Sequence, residues 1–302
     1  MSDLNRRQFL SFAAVSASSL ISAHSSWAIG TNAGRAQEVA GVTPRILDLH
    51  LQASVPLQEL RAFYRDVIGL RILDDQKDRL VISAGKTTLT FTPGTVSDPF
   101  YHFAFNIPEN KIVSALNWQK ERTPLLPIPE RLRDSNYPAD VVNYSHWNAH
   151  SVFFLDPAGN VVEYIARHDL KNPAPGGFSS RDLLYISEIG LIVDDVPSTA
   201  SVVKKVAGVD QYRGGDENFM ALGDEEGLLL IMKRGRILNF NPSSDSKAAR
   251  VFQTAVRVRG SEKIYLRFRQ LPIQVSCRCE VCITLHRNIQ KTNPASSPPA
   301  CL

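Results

Sequence analysis

One local pattern returns three times along this chain of 302 residues, and it limits the fold more than any compositional figure does. A strand-like run from Ile46 to Ala53 leads through Pro56 into a segment where Leu57, Leu60, Tyr64, Val67 and Ile68 share one helical face. Gly69 is the expected helix stop. Short strands at Arg71 to Leu73, Arg79 to Ser83 and Thr87 to Thr92 complete a β-α-β-β-β unit. A second unit opens at Phe100 to Ile107, continues into a helix over Glu109 to Gln119 and closes on a hairpin. A third opens at Ile186 to Val193, enters a helix at Pro197 that stops near Gly208, and ends with strands at Phe219 to Leu222 and Leu228 to Lys233. Phe252 to Arg259 opens an incomplete fourth. Such periodicity points to paired modules, because a unit of this size cannot bury its apolar face alone.

The hairpin of the second unit is the most specific stretch. His150-Ser-Val-Phe-Phe-Leu-Asp-Pro-Ala-Gly-Asn-Val-Val-Glu163-Tyr reads as two strands around a turn from Asp156 to Asn160. Pro157 presets φ, Gly159 and Asn160 tolerate positive φ, and the flanks are β-branched and aromatic. Glu163 projects from the middle of the second strand. The opening strands of units one and two each carry one histidine, His50 and His102. Alternation places Leu47, Leu49 and Leu51 on one face of the first strand and Asp48, His50 and Gln52 on the other. A lone strand histidine is more often an ordinary surface residue than a ligand. Two histidines and a carboxylate on three strands are different, since that set recurs around divalent metals with open positions. It does not choose between Fe, Mn, Zn and Ni. Asp48 or Gln52 would fix a histidine tautomer.

A Pro-rich excursion from Glu121 to Ala149 separates the second helix from its hairpin and is long enough to be a lid. Tyr144, His146 and His150, in or beside it, are the candidate acid/base residues, against the plainer reading of surface or packing groups. Trp147 would stack on a substrate ring or anchor the loop. His168 falls beyond the strand end and is not expected to be a ligand. Residues 170–183, with two prolines and a Gly-Gly pair, form the natural linker.

At the amino end, Asn5-Arg6-Arg7-Gln8-Phe9-Leu10 precedes a serine-diluted apolar run and Ser26-Trp27-Ala28, the layout of a signal peptide over 1–28. Its paired arginines resemble the twin-arginine export signal, which implies the export machinery as a partner and a bacterial periplasm as the destination. Residues 29–43 read as a polar leader. With 34 basic and 30 acidic residues and no basic stripe, nothing points to nucleic acid. No other stretch is long and apolar enough to span a bilayer. Cys277, Cys279, Cys282 and Cys301 all lie in the segment 271–302, whose Pro/Ser-rich end reads as disordered. They lack the two-pair spacing of a zinc ribbon, leaving disulfides, a soft-metal site or no role at all.

The repeated unit, the helix end Phe63-Tyr64-Arg65-Asp66-Val67-Ile68-Gly69-Leu70 and the run Phe154-Leu-Asp-Pro-Ala-Gly-Asn-Val-Val-Glu163 together resemble the vicinal oxygen chelate superfamily, which includes glyoxalase I, bleomycin-resistance proteins and extradiol dioxygenases. The resemblance covers 45–168 well and 184–235 weakly. It implies an α+β fold of tandem βαβββ modules paired into a curved mixed sheet cup, with the paired modules over 44–169 and a degenerate third module within 184–270. It also implies one divalent metal held by His50, His102 and Glu163. Glyoxalase I would take a further carboxylate from the last strand of the first module, and Thr87 to Thr92 has none. That departure argues against proton-transfer chemistry and leaves the three-ligand pattern of the dioxygenases. In the third module Gly190 aligns with His50, Gly227 to Lys233 holds no carboxylate, and Glu188 aligns with Asp48, so no ligand is expected there. The expectation is an exported metal-dependent enzyme for a small bidentate oxygen substrate, with ring-cleaving dioxygenase-like chemistry favoured. Lyase or isomerase chemistry and metal-free small-molecule binding are the alternatives, and a homodimer is compatible with each.

Overall fold

The computed structural model describes residues 45–238 and 247–259, with the backbone of 265–268 and 282–284. The segments expected to be an export signal and a polar leader, and the cysteine-bearing tail, lie outside the described residues, apart from the backbone at 282–284.

The first module runs β1 (Ile46–Ala53), α1 (Leu57–Ala62), a π-helical turn over Phe63–Val67, then β2 (Arg71–Gln76), β3 (Arg79–Ala84) and β4 (Thr87–Pro93). The wide final turn places the Leu70 N–H on the Tyr64 carbonyl at 2.8 Å, and Gly69 takes the left-handed φ of 78° that ends the helix. The second module is β5 (His102–Ile107), α2 (Ile112–Lys120), β6 (Val142–Tyr144), β7 (Ala149–Leu155) and β8 (Val161–Arg167). The third is β9 (Tyr185–Val193), α3 (Val196–Ala207), β10 (Gln211–Asp216), β11 (Phe219–Asp224) and β12 (Gly227–Lys233). Asp195 caps α3 through the Ser198 N–H, and Gly208 closes it at φ 60°. A fourth, partial module supplies β13 (Thr254–Val258), β14 (Tyr265–Phe268) and β15 (Cys282–Thr284).

These strands form two mixed sheets. The eight-stranded sheet has the order β10-β11-β12-β9-β5-β8-β7-β6, and the seven-stranded sheet β15-β14-β13-β1-β4-β3-β2. The paired-module cup is therefore present, but the partners differ from the sequence expectation: module two closes on module three through antiparallel β5 and β9, while module one joins the partial fourth through β1 and β13. The reason lies in the strand compositions. All residues of β5 and β9 are buried, as a strand covered on both faces requires, whereas β1 presents Asp48 and His50 outward. The two doubly buried strands find each other.

One apolar core holds the sheets together, with Leu49, Leu51, Leu89 and Phe91 from one and Phe103, Phe105, Tyr164 and Leu229 from the other. The seam is stitched at the β3–β4 turn. There the Thr87 hydroxyl donates to the Ile46 carbonyl at 2.8 Å and accepts from the Ile186 N–H at 3.0 Å. Gly85, at φ 62°, leaves room where a Cβ would stand 2.2 Å from the Leu184 carbonyl oxygen. Among the described residues, no helix is long and apolar enough to cross a membrane.

Candidate metal centre

Alternation along three adjacent strands of the eight-stranded sheet aims three ligand-type side chains at one point. On β8, Val162, Tyr164 and Ala166 enter the main core, which turns Val161, Glu163, Ile165 and Arg167 to the opposite face. On β5 the same logic sends Phe103, Phe105 and Ile107 into the core and turns out His102 and Ala104. The antiparallel register pairs Ala104 with Glu188 of β9, and a bulge at Ser187 re-aims that strand. The ligand atoms of His102, Glu163 and Glu188 fall within 4.8 Å of one another. His102 Nε2 stands 3.4 Å from Glu163 Oε2 and 3.9 Å from Glu188 Oε2.

The electrostatics are those of a site short of positive charge. His102 Nδ1 lies 3.1 Å from the Val161 carbonyl, which can only accept, so Nδ1 carries the proton and Nε2 presents its lone pair to the carboxylates. Burial pushes this imidazole down to about 4. Burial, and then the neighbouring Glu188, hold the Glu163 carboxyl well above the usual carboxylate range. Burial raises Glu188 as well, with Arg167 pulling the other way through an ion pair to its Oε1. The Ser151 hydroxyl faces the Glu163 carboxyl and opposes the effect of burial, and Trp147 Nε1 is buried without a hydrogen-bond partner. A lone pair facing two buried carboxylates is an arrangement that a cation resolves. These residues fit a divalent metal.

The structure brings together two of the three expected ligands, His102 and Glu163. The third member is Glu188, and His50 stands on β1 in the other sheet, exposed and opposite Ala255 and Thr90. Its expected supporters are engaged there too: Asp48 pairs with Arg257, and the Gln52 amide donates to Thr95 at 3.0 Å. The separation follows from the module pairing, since β1 and β5 belong to different sheets. Glu188 was detectable in principle as a carboxylate amid the apolar residues of Tyr185 to Val193, where an ionised group needs a partner. Gly190, at the aligned histidine position, instead makes room. A Cβ there would meet Met232 Cε at 3.2 Å and the His102 carbonyl at 3.4 Å.

The candidate acid/base residues separate. Tyr144, on β6, is partly buried, and its phenol is pushed well above its ordinary value by burial and by the charges of Glu163 and Glu188. It lies within electrostatic reach of the two carboxylates. His146 is exposed beside Trp147, and its carbonyl accepts from Arg213 at 3.4 Å. His150 is engaged with Asp134 and His168 on the rim. The apolar wall is Ala104, Trp147, Ile165, Leu230 and Met232.

No protein-family model matches the sequence, and no curated protein matches it. Solved structures do resemble the fold. A provisionally assigned dioxygenase from Bacillus subtilis aligns over 76% of this chain and 71% of its own, at 17% identity and a TM-score of 0.46. Glyoxalase I from Zea mays aligns over 74% of both chains at 15% identity, with a TM-score of 0.42. A glyoxalase/bleomycin resistance protein/dioxygenase from Alicyclobacillus acidocaldarius aligns over 42% of this chain and 94% of its own at 18% identity, with a TM-score of 0.32. The observation that decides the fold is internal: two complete βαβββ modules share one sheet through their first strands. The chain has the vicinal oxygen chelate fold. Within that fold its ligand-type residues come from the first and last strands of one module and the first strand of the next.

Proposed function

We propose that the protein is a metal-dependent enzyme acting on a small bidentate oxygen substrate, with His102, Glu163 and Glu188 holding one divalent ion. The observation that carries this reading is the His102 Nε2 lone pair facing two buried carboxylates at 3.4 and 3.9 Å. An oxygen-rich donor set of one imidazole and two carboxylates suits a hard divalent ion such as Mn or Fe(II), with Zn also admissible. The ion would supply Lewis acidity and a template for two substrate oxygens. The chain's own groups supply the rest. The Val161 carbonyl fixes the His102 tautomer, Arg167 orients Glu188, and Tyr144, whose phenol burial and the two carboxylates keep protonated, would offer a hydrogen-bond donor.

The donor set bears on the choice of chemistry. Ring-cleaving dioxygenase-like turnover calls for two histidines and one carboxylate, and His50 stands in the other sheet. The carboxylate absent from Thr87 to Thr92 is instead present as Glu188, where it meets the need of a base beside a bound substrate. Lyase or isomerase proton transfer therefore becomes the leading reading and ring cleavage the second. Export by the twin-arginine route to a periplasm belongs to the same proposal and rests on Arg6, Arg7 and the run to Ala28.

The test is metal content after equilibrium dialysis with Mn(II), Fe(II) or Zn(II). About one ion per chain is expected, lost in His102→Ala, Glu163→Gln and Glu188→Gln and kept in His50→Ala. Retention in the first three would sink the centre. Oxygen uptake with catechols, set against proton exchange at the carbon beside an α-hydroxy ketone carbonyl, separates the two chemistries. Neither activity, with tight binding of an organic ligand by metal-free protein, would select the binding-protein alternative.

A further inference from the structure

Two short segments between the third module and the partial fourth run across the eight-stranded sheet. Residues 234–238 follow β12, and 247–252 precede β13. They are tied together as a strap: the Gly235 N–H donates to the Ala249 carbonyl and the Ala249 N–H to the Arg236 carbonyl, both at 2.8 Å, and Ile237 is bridged to Ala248. Ala249 is buried in the apolar wall with Ala104, Ile165, Leu230 and Met232, and Leu238 and Val251 pack against that wall. Ala104 and Ile165 share strand faces with His102 and Glu163. The strap therefore lies on the face of the sheet that carries the metal centre.

This strap brings a cation without a counter-charge. The Arg234 guanidinium donates to Asp194 at 3.0 Å. Arg236, two residues on, is exposed and pairs with no carboxylate among the described residues. Its guanidinium carbon stands 5.2 Å from the centre of the Phe219 ring, Phe219 is 6.4 Å from Trp147, and Trp147 is 5.8 Å from Tyr144. The charge of Arg236 is felt at His102 and at the Tyr144 phenol, so it stands within electrostatic reach of the centre. A second donor lacks an acceptor in the same wall, the buried indole N–H of Trp147.

Charge counting gives these donors a meaning. A divalent ion would offset Glu163 and Glu188. Arg167 and Arg213 offset Glu225, at 3.5 and 3.1 Å, and Asp169, at 2.7 Å from Arg213. Arg236 is the charge left over. A ligand with one carboxylate beside its two chelating oxygens matches it, through the two-pronged bond that guanidinium and carboxylate form.

We infer that Arg236 selects the substrate by charge, binding a carboxylate on the molecule whose two oxygens face the metal ion. The inference rests on the metal reading above and adds to it the class of substrate, an anionic chelator. Phe219 behind the guanidinium and Trp147 beside it give that molecule an aromatic flank.

The test is calorimetric titration, without oxygen, of the Mn(II)-loaded full chain with catechol and with 3,4-dihydroxybenzoate, which chelate through the same two hydroxyls and differ by one carboxylate. Mn(II) is the probe because thiolates such as those of the tail favour softer ions. The parent should prefer the carboxylate compound, and Arg236→Gln should reduce that preference by about tenfold, the loss of one charge-assisted link. Mn(II) content and catechol affinity should stay as in the parent, since Arg236 is not a ligand. Arg236→Lys should keep part of the preference, having the charge without the fork, and added salt should shrink the preference in the parent more than in Arg236→Gln. Equal preference in parent and Arg236→Gln, or binding of neither compound by the Mn(II)-loaded parent, would overturn the inference and leave the metal centre standing. Absence of Mn(II) from the parent would overturn the metal reading and this inference with it. Loss of Mn(II) from Arg236→Gln alone would place Arg236 in the support of the centre and overturn its role toward substrate.

Discussion

Tyr64 and Asp156 meet in a 2.7 Å hydrogen bond that joins the first module to the second across the two sheets. The tyrosine hydroxyl donates, and the same carboxylate accepts from the Ala158 and Asn160 N–H groups at 3.0 Å and from the Asn160 side chain at 2.7 Å. The π-helical turn that ends the first helix and the Asp156 to Asn160 turn of the hairpin are thereby one knot. Tyr64→Phe removes a single donor and keeps the ring stacked on Phe91, 5.7 Å away. It should cost about 1.5–3 kcal/mol, the range for a bond to a charged group, read as a lower urea midpoint at unchanged slope.

The same carboxylate gives stability a pH dependence. Burial raises Asp156 to about 6, with Asn160 and Tyr64 acting in the opposite direction. A folded-state value above the unfolded one means the folded chain holds its proton longer, so this contribution is complete below the unfolded value near 4 and is lost as pH rises through about 6. The loss approaches about 3 kcal/mol. Asp156→Asn should be less stable at acid pH and lack this part of the decline, which urea unfolding from pH 4.5 to 7.5 would detect. An unchanged slope would refute the assignment.

Arg167 is fully buried and holds Glu188 on one side and Glu225, at 3.5 Å, on the other. Removing it in Arg167→Met strands Glu188, while Glu225 keeps Arg213 at 3.1 Å and the Tyr212 hydroxyl. In metal-free protein the expected cost is about 3–5 kcal/mol. A saturating divalent ion should raise the melting temperature of the variant more than that of the parent, since it replaces the lost charge beside Glu188. Equal shifts in calorimetry would separate Arg167 from the centre.

Gly190→Ala should weaken metal retention without unfolding the chain. Its added methyl stands 3.2 Å from the flexible end of Met232, which can give, and 3.4–3.5 Å from the His102 carbonyl oxygen and Cβ, which give less. Dialysis against a competing chelator would show faster loss from the variant. Gly190→His, which restores the histidine of the aligned first strand, should lose more, because the space it would enter is already filled by His102.

How much of this was visible in the sequence depended on the range of the interaction. Helix and strand succession was legible because Leu57, Leu60 and Tyr64, or Gly69 and Gly208, act within a few residues. So was the convergence of His102 and Glu163, which belong to parallel neighbours of one module, two registers apart. Glu188 stands out locally only as a carboxylate in an apolar strand; its place in the centre depends on an antiparallel partner in another module and on an extra residue, Ser187, that no local pattern reports. His50 misled for the same reason. Its strand, like that of His102, opens a module with a single histidine, and the choice of partner strand puts it in another sheet.

That choice also orders the chain in time. Modules two and three are consecutive, so the sheet that carries the centre is drawn from one uninterrupted stretch, His102 to Lys233. Modules one and four enclose it like a pair of brackets, and Ile46 must find Val258 across everything between them. Closing so long a loop is slow, and it becomes easier once the intervening segment has collapsed. On loop length, the contact between Ile46 and Val258 that completes the outer sheet would come after the inner sheet has formed. The pocket would then be shaped before the outer sheet is sealed, and the last bond to form would join the two ends of the chain's own history.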